Sequence, residues 1–146
     1  MNYEQRDTYG IYKGTSSIDS NAHLSAGPGP QLMGADTLIG NDVCNQDDED
    51  LGDIKEIMLD VSSGRVAYAV LSFGGFLGMG EKLFAVPWSA LTLDTVNKRF
   101  VLAIDKERLS QAPGFDKDNW PDMQDPTWSQ EIHAYYGTKP HVDDRL

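Results

Sequence analysis

Three closely spaced glycines, Gly75, Gly78 and Gly80, are the first candidates for chemistry, because glycine-rich loops can hold the phosphates of nucleotides. Their spacing is G-x-x-G-x-G, whereas the dinucleotide-binding pattern is G-x-G-x-x-G, and the segment does not open a helix. Gly80 is followed by Glu81 and Lys82, so the Lys-Ser/Thr pair of a phosphate-binding loop is also missing. The spacing therefore favours a wide connection between two strands over a nucleotide site.

The acidic run from Asp47 to Asp53 suggests a calcium-binding loop, since Ca²⁺ prefers carboxylate oxygens. Aligning Gly52 with the glycine of an EF-hand loop places Leu51 at a ligand position and Met58 where the bidentate glutamate belongs. The pattern fails at both positions, so we predict a solvated turn here and no metal site.

The histidines, the single cysteine and the serines do not form a catalytic or zinc-binding pattern. His23, His133 and His141 lack zinc-ligand spacing and have no cysteine cluster beside them. Cys44 has acidic neighbours, which raise a thiol pKa and reduce its reactivity. Ser89 does not lie in a G-x-S-x-G motif. We predict no catalytic residue and no cofactor, and we expect that the protein is not an enzyme.

The glycine-rich connection also carries large apolar side chains, namely Phe73, Phe76, Leu77 and Met79. They are too apolar for a solvated loop, so they either fold over the end of a barrel or form a contact surface. We predict a contact surface for self-association. The alternative is a small-ligand or cation site at the barrel end, under the loop formed by residues 73–80.

The net charge of −11 is unevenly distributed. Residues 36–60 carry nine acidic residues against one lysine, whereas residues 61–104 carry four basic residues and two acidic ones. The acidic part would repel the phosphate backbone of nucleic acid, so we expect no direct nucleic-acid binding. No apolar run is long enough to span a membrane, and the N-terminal residues lack the order of a secretory signal. We therefore predict no membrane span and a cytoplasmic location.

Short apolar segments between turn residues predict a β-rich centre. Gly64 suits a hairpin that needs a positive φ, and Pro87 must end its strand because it cannot donate to a ladder. Trp88 follows that strand end, and we expect its ring to bury against Tyr68 or Phe100. The predicted strands are residues 38–44, a second from residue 51 to 59, then 66–73, 82–86, 91–93 and 99–104.

Two short helices are predicted after the strands. The first has Asp105 as its N-cap, extends to Ala112 and is stopped by Pro113-Gly114. The second begins at Asp125-Pro126 and ends at Gly137. One face of the second helix carries Trp128, Ile132 and Tyr135 at helical spacing, so we expect it to pack against the sheet. The alternative is a docking helix for another subunit.

The order and spacing of several elements in the centre resemble the PRC-barrel family, named after the photosynthetic reaction-centre H subunit. These elements are Leu51-Gly52-Asp53-Ile54, Asp60 and Gly64, Tyr68-Ala69-Val70-Leu71, and Val86-Pro87-Trp88 with Leu91. The resemblance covers residues 35–105 and is strongest to stand-alone bacterial members. It implies a platform for binding or assembly, with Gly52, Asp60, Gly64, Tyr68, Pro87 and Trp88 in structural roles.

These observations predict a mainly β protein: a small barrel of about six short antiparallel strands with a short helical C-terminal tail. Residues 1–34 form a flexible arm that adds little stability, residues 35–105 the barrel, and residues 106–146 the extension with short helices. The predicted function is a non-catalytic protein-interaction or assembly module that self-associates as a dimer. The sequence does not indicate which other protein it binds.

Overall fold

The structure, a computed structural model, describes residues 2–3, 5–6, 32–74 and 81–140. Within these residues, six strands and three helices follow one another in chain order, with a turn of 3₁₀ helix at Trp88–Ala90 after the fourth strand. The elements are α1 (Ala35–Leu38), β1 (Asp42–Cys44), β2 (Asp50–Asp60), β3 (Arg65–Gly74), β4 (Glu81–Pro87), β5 (Leu91–Asp94), β6 (Arg99–Leu102), α2 (Lys106–Ser110) and α3 (Pro126–Tyr136).

The six strands form one curled half-barrel sheet in the order β4-β3-β2-β1-β6-β5. The prediction of a mainly β fold with six strands is confirmed, but the sheet is mixed. Four pairs are antiparallel, whereas β1 and β6 run parallel, with Val43 opposite Phe100. A parallel pair requires a long crossover, and here the chain from β2 to β5 supplies it. β2 and β3, with 11 and 10 residues, are also longer than predicted.

The first predicted strand, residues 38–44, is shorter than expected. The chain forms a helical turn that ends at Leu38, and β1 begins only at Asp42. Between them Gly40 has φ +93°, a left-handed conformation that interrupts an extended chain. Leu38 is buried in the core, so its apolar character serves packing by α1 and not by a strand.

The hairpin between β2 and β3 closes as predicted around Asp60 and Gly64. Gly64 has φ +79°, and its N–H donates to the Asp60 carbonyl at 2.7 Å. The Asp60 carboxylate also accepts bonds from the Ser62 N–H at 3.1 Å and the Ser62 hydroxyl at 2.8 Å. The turn is therefore held by short-range hydrogen bonds, which explains why it could be predicted from a short stretch of sequence.

Gly52 lets β2 and β3 approach closely near the base of the sheet. It has φ +105°, and a Cβ at this position would lie 2.0 Å from the Ser72 carbonyl oxygen. Both the backbone conformation and the lack of space require glycine.

The middle of β3, residues 68–71, is buried on both faces, because the curled sheet encloses one and α3 covers the other. Ala69 and Leu71 belong to the main core, together with Phe84 of β4. Tyr68 packs on the opposite side in a second cluster with Ile132 of α3. Trp128 also belongs to the second cluster, so the apolar face predicted for this helix packs on the sheet as expected.

The ends of α3 follow the predicted signals. The Asp125 side chain accepts a hydrogen bond from the Thr127 N–H at 2.9 Å, Pro126 is the first helical residue, and Gly137 has φ +73°. α2 begins after Asp105 as predicted, but the Asp105 carboxylate makes no capping hydrogen bond.

The outer edge of β4 is covered by the chain between α2 and α3. Leu83 and Phe115 exchange two backbone hydrogen bonds, of 2.9 and 2.8 Å. Pro87 is the last residue of β4, as predicted, and is buried. β5 lies at the opposite end of the sheet, where none of the described residues pairs with its outer side.

The described residues of the N-terminal arm contact the sheet and α1. Tyr3 is 4 % exposed, and its N–H donates to the Lys98 carbonyl at 3.0 Å. Arg6 donates to the carbonyls of Thr37 and Asp36 at 3.2 and 3.1 Å. Tyr3 is therefore buried in the domain, and Arg6 binds α1 at the domain surface. No helix in the part of the chain that the structure describes is long and apolar enough to cross a membrane.

Candidate functional site

An open cleft of about 550 Å³ lies where the β2–β3 hairpin, the 3₁₀ turn and the end of α3 meet. Its volume lies within the range of small-molecule sites, which is roughly 300–1,000 Å³. The side chains that give it chemical character are those of Asp60, Arg65, Tyr68, Trp88, His133 and Lys139. They come from four separate parts of the chain, so only the folded structure brings them together.

Tyr68 forms a buried aromatic wall of the cleft. It lies on the face of β3 that α3 covers and is 6 % exposed. Its hydroxyl lies 3.0 Å from the Ser129 hydroxyl, its ring meets Trp128 edge-on at 5.2 Å, and it tilts against His133 at 5.7 Å. The hydrogen bond satisfies the phenol, and the two aromatic contacts fix the orientation of the ring.

His133 supplies a buried imidazole from the last turn of α3. Its Nδ1 lies 2.8 Å from the Thr138 hydroxyl, which Gly137 positions by reversing the chain at the helix end. The Thr138 N–H also donates to the His133 carbonyl at 2.9 Å. Burial lowers the pKa of His133 below its usual value, since a buried cation is poorly solvated. The imidazole is therefore neutral at neutral pH, and Nε2 is the nitrogen that remains for a ligand.

Trp88 provides the second aromatic side chain, at the start of the 3₁₀ turn. Its ring packs against Phe100 with centroids 5.5 Å apart, which is one of the two contacts that the sequence predicted. The side chain is only partly buried, and the part that the core leaves uncovered contributes to the cleft. Trp88 therefore joins the core to the cleft.

Three charged residues line the cleft, and two of them face each other. Asp60 and Arg65 are opposite one another in the β2–β3 register. The Ser62 hydroxyl, which donates to the Asp60 carboxylate, is the main reason that the pKa of Asp60 is lowered. Lys139 is exposed and forms no ion pair with any residue that the structure describes. Among the described lining residues, Asp60 and Arg65 offset each other in formal charge, and Lys139 adds one positive charge.

A second cleft, of about 260 Å³, lies on the other side of Ser89. Arg108 stacks on the Tyr135 ring at 4.4 Å and donates to the Tyr135 carbonyl at 3.0 Å, while the Tyr135 hydroxyl donates to the Arg108 carbonyl at 2.7 Å. The neighbouring Tyr136 hydroxyl is buried without a hydrogen-bond partner among the described residues. Burial raises the pKa of Tyr136, so this phenol stays protonated. The cleft is smaller than usual ligand sites.

The residues considered for nucleophilic catalysis do not form a reactive site. Cys44 is 3 % exposed, and burial, more than its acidic neighbours, raises its thiol pKa. Ser89 and His133 border the same cleft, but His133 Nδ1 is bonded to Thr138 and no hydrogen bond joins it to Ser89. Neither Cys44 nor Ser89 is therefore paired with a base.

The acidic run forms a structured turn. Asn45 accepts hydrogen bonds from the N–H groups of Asp47 and Glu49, both at 3.0 Å, and Asp48 forms an ion pair with Arg99 of β6. Within residues 2–3, 5–6, 32–74 and 81–140, no three His, Cys, Asp or Glu side chains are grouped as metal ligands.

The predicted contact surface is only partly within the described residues. Phe73 is 8 % exposed in the main core, where its ring packs against Phe84 at 6.3 Å. Its ring therefore contributes to the core and offers little surface to a partner. Phe76, Leu77 and Met79 lie outside the described residues, as does most of the loop over the predicted barrel-end site.

The cleft beside α3 was not predicted from the sequence. From the sequence, Tyr68 and Trp88 were given structural roles and His133 was given no partner. Trp88 and His133 are 45 positions apart, so no local pattern joins them. The available signal was the helical stripe of Trp128, Ile132 and Tyr135, which required a packing surface and so implied a junction between α3 and the sheet.

Comparison with known proteins identifies the domain type. The family model described as PRC-barrel domain matches residues 30–109, more than half of the chain. No curated protein matches the chain. The matched segment includes every strand of the half-barrel and ends within α2. The chain therefore belongs to the PRC-barrel domain family.

Proposed function

We propose that this protein is a non-catalytic assembly module that self-associates as a dimer through the outer edge of β5. Membership of the PRC-barrel family supports a small non-catalytic module. The observation that carries the proposal is the difference between the two edges of the sheet. Phe115 pairs with the edge of β4, but no described residue pairs with the outer side of β5. An unpaired strand edge is a template for another strand.

The surroundings of β5 support a second copy as the partner. An antiparallel pair of two identical strands is consistent with two-fold symmetry, in which the same surface patch contributes from each subunit. Val96, at the tip of the β5–β6 hairpin, is 84 % exposed and offers apolar surface beside the edge. The four residues of β5 make a short edge, so the hairpin tip would have to contribute to the interface.

Sedimentation velocity of the full chain over a concentration series tests the proposal. We expect a species of twice the mass of the chain. Thr92 is exposed in β5. The variant Thr92→Lys places a charge on the edge strand and should shift the equilibrium from dimer towards monomer. The matched control is Thr127→Lys, the same change at an exposed position of α3, outside the sheet.

The outcomes separate this interface from the one predicted by the sequence. A wild-type chain that stays monomeric at every concentration would overturn self-association. A dimer that Thr92→Lys leaves intact, but that joint replacement of Phe76 and Leu77 with serine dissociates, would overturn the β5 interface and place it at the glycine-rich connection. Thermal melting of each variant shows whether the monomer remains folded.

A further inference from the structure

We infer that the cleft lined by Tyr68, Trp88, His133 and Lys139 binds a small aromatic anion, a planar ring that bears one carboxylate. This site is distinct from the β5 edge and from the barrel end that the sequence suggested. It goes beyond the proposed assembly role, because dimer formation requires none of these residues.

The aromatic lining favours a planar ligand. Tyr68 lines the cleft and is held in a fixed orientation by Ser129, Trp128 and His133, although only a small part of its surface is exposed. Trp88 is anchored on one side by Phe100 and is only partly buried. Ring contacts of this kind stabilise an aromatic ligand beyond the area that they bury. The volume of about 550 Å³ accommodates one or two fused rings.

The charge of the cleft favours an anion. Asp60 lies opposite Arg65 in the hairpin register, so Lys139 provides the charge that is not offset within the described residues. In the tautomer in which Nδ1 of His133 accepts from the Thr138 hydroxyl, Nε2 carries the proton and becomes a donor. An ammonium group and a neutral N–H donor together match a carboxylate, and hydrogen bonds to an ionised group are stronger than neutral ones.

Burial determines the charge state in which His133 would meet a ligand. If His133 were protonated, both His133 and Lys139 would carry a positive charge beside the same cleft. Burial opposes that protonation, so Nε2–H acts as an uncharged donor. Lys139 supplies the positive charge that is not offset among the described lining residues. His133 and Lys139 therefore have separate roles in binding the carboxylate.

A titration of the full ¹⁵N-labelled chain with 2-naphthoate, followed by amide chemical shifts, tests this inference. We expect saturable binding, with the largest shifts at residues 66–68, 88–89 and 133–139. The neutral isostere 2-naphthamide should bind about fivefold more weakly, since it lacks the charge for Lys139. Acetate, which lacks the ring, should produce no saturable shift.

Substitutions distinguish a specific site from general adhesion of an aromatic compound. Lys139→Gln should weaken naphthoate binding to the level of naphthamide and leave naphthamide binding unchanged. The matched control, Lys117→Gln, removes an exposed lysine from another part of the surface and should change neither. Trp88→Leu should weaken both ligands, and its melting curve shows whether loss of binding reflects loss of fold.

Three results would overturn the inference. Equal affinity for naphthoate and naphthamide would remove the anion preference. Shifts that map away from the cleft would place the binding site elsewhere. An unchanged naphthoate affinity in Lys139→Gln would exclude Lys139 as the charged contact. None of these results bears on dimer formation through β5, which is measured separately by sedimentation.

Discussion

The two edge strands of the sheet, β4 and β5, differ in how far other described residues cover them. In β4, every residue from Leu83 to Pro87 is buried, because α3 packs beside the strand and Phe115 pairs with its edge. In β5, no residue is fully buried. A strand with a covered edge can be apolar on both faces without inviting other chains. β5, whose outer edge is open, is only four residues long and carries both apolar and polar side chains. We place the partner at this edge.

The largest expected difference between the two edges is in core stability. Phe84 of β4 is 1 % exposed, so Phe84→Ala should reduce the free energy of unfolding by about 3–5 kcal/mol. Leu93 of β5 is only partly buried, so Leu93→Ala should cost about 1–2 kcal/mol. Urea denaturation of both variants measures the difference. Equal losses would mean that β5 is held as firmly as β4 and would remove the contrast.

A smaller effect is expected from loosening the segment that covers β4. A Cβ on Gly114 would lie 2.8 Å from the Leu83 carbonyl oxygen and 2.9 Å from the Phe84 ring. Gly114→Ala should therefore displace Phe115 from the β4 edge and cost about 1–3 kcal/mol. The Leu83 N–H, which donates to the Phe115 carbonyl at 2.9 Å, should exchange its proton faster.

The control for this variant is Gly34→Ala. The nearest atom to a Cβ on Gly34 is the Thr37 hydroxyl oxygen at 3.8 Å, an ordinary contact, so stability should stay nearly constant. An unchanged Leu83 exchange rate in Gly114→Ala would show that the cover of the β4 edge does not depend on this close approach.

The smallest expected effect is a pH dependence confined to the side of the sheet that α3 covers. Because the pKa of His133 is lower in the folded protein than in the unfolded chain, the unfolded chain binds the proton more readily. The contribution of neutral His133 is fully present above its usual pKa of about 6.5 and is lost as pH falls from there towards the lowered folded value.

Thermal melting of wild type and His133→Gln from about pH 7.5 down to about pH 4.5 measures this contribution. The wild-type stability should fall more steeply than that of the variant over this interval. Proton exchange should accelerate in α3 before it does in the β5–β6 hairpin. Parallel stability curves for the two proteins would contradict a role for His133 in the pH dependence.

The parts of the fold that were predicted correctly are those that short stretches of chain control. The hairpin at Asp60 and Gly64 depends on hydrogen bonds within five residues, and α3 begins and ends at Asp125 and Gly137 through its own caps. The stripe containing Trp128 faced the sheet because helical periodicity alone defines a face. Each of these signals lies in one short window of sequence.

The parts that were missed depend on distant segments. Residues 38–44 have the composition of a strand, but Gly40 and the burial of Leu38 make the first part a helical turn. The parallel pairing of Val43 with Phe100 joins segments 57 positions apart. Composition also could not show that Phe73 packs on Phe84, since an apolar side chain suits a core and a contact surface equally well.

By itself, the sequence of this protein determined the β-rich class, the turns and helix ends, and the membership of the PRC-barrel family, because backbone conformation and periodicity are local properties. Only the tertiary structure decided which edge of the sheet is covered and that Tyr68, Trp88, His133 and Lys139 share one cleft. Those arrangements come from the curl of the sheet and the docking of α3, which bury apolar surface between distant segments. The stripe on α3 predicts that the helix packs on the sheet, but no short segment shows which residues meet there.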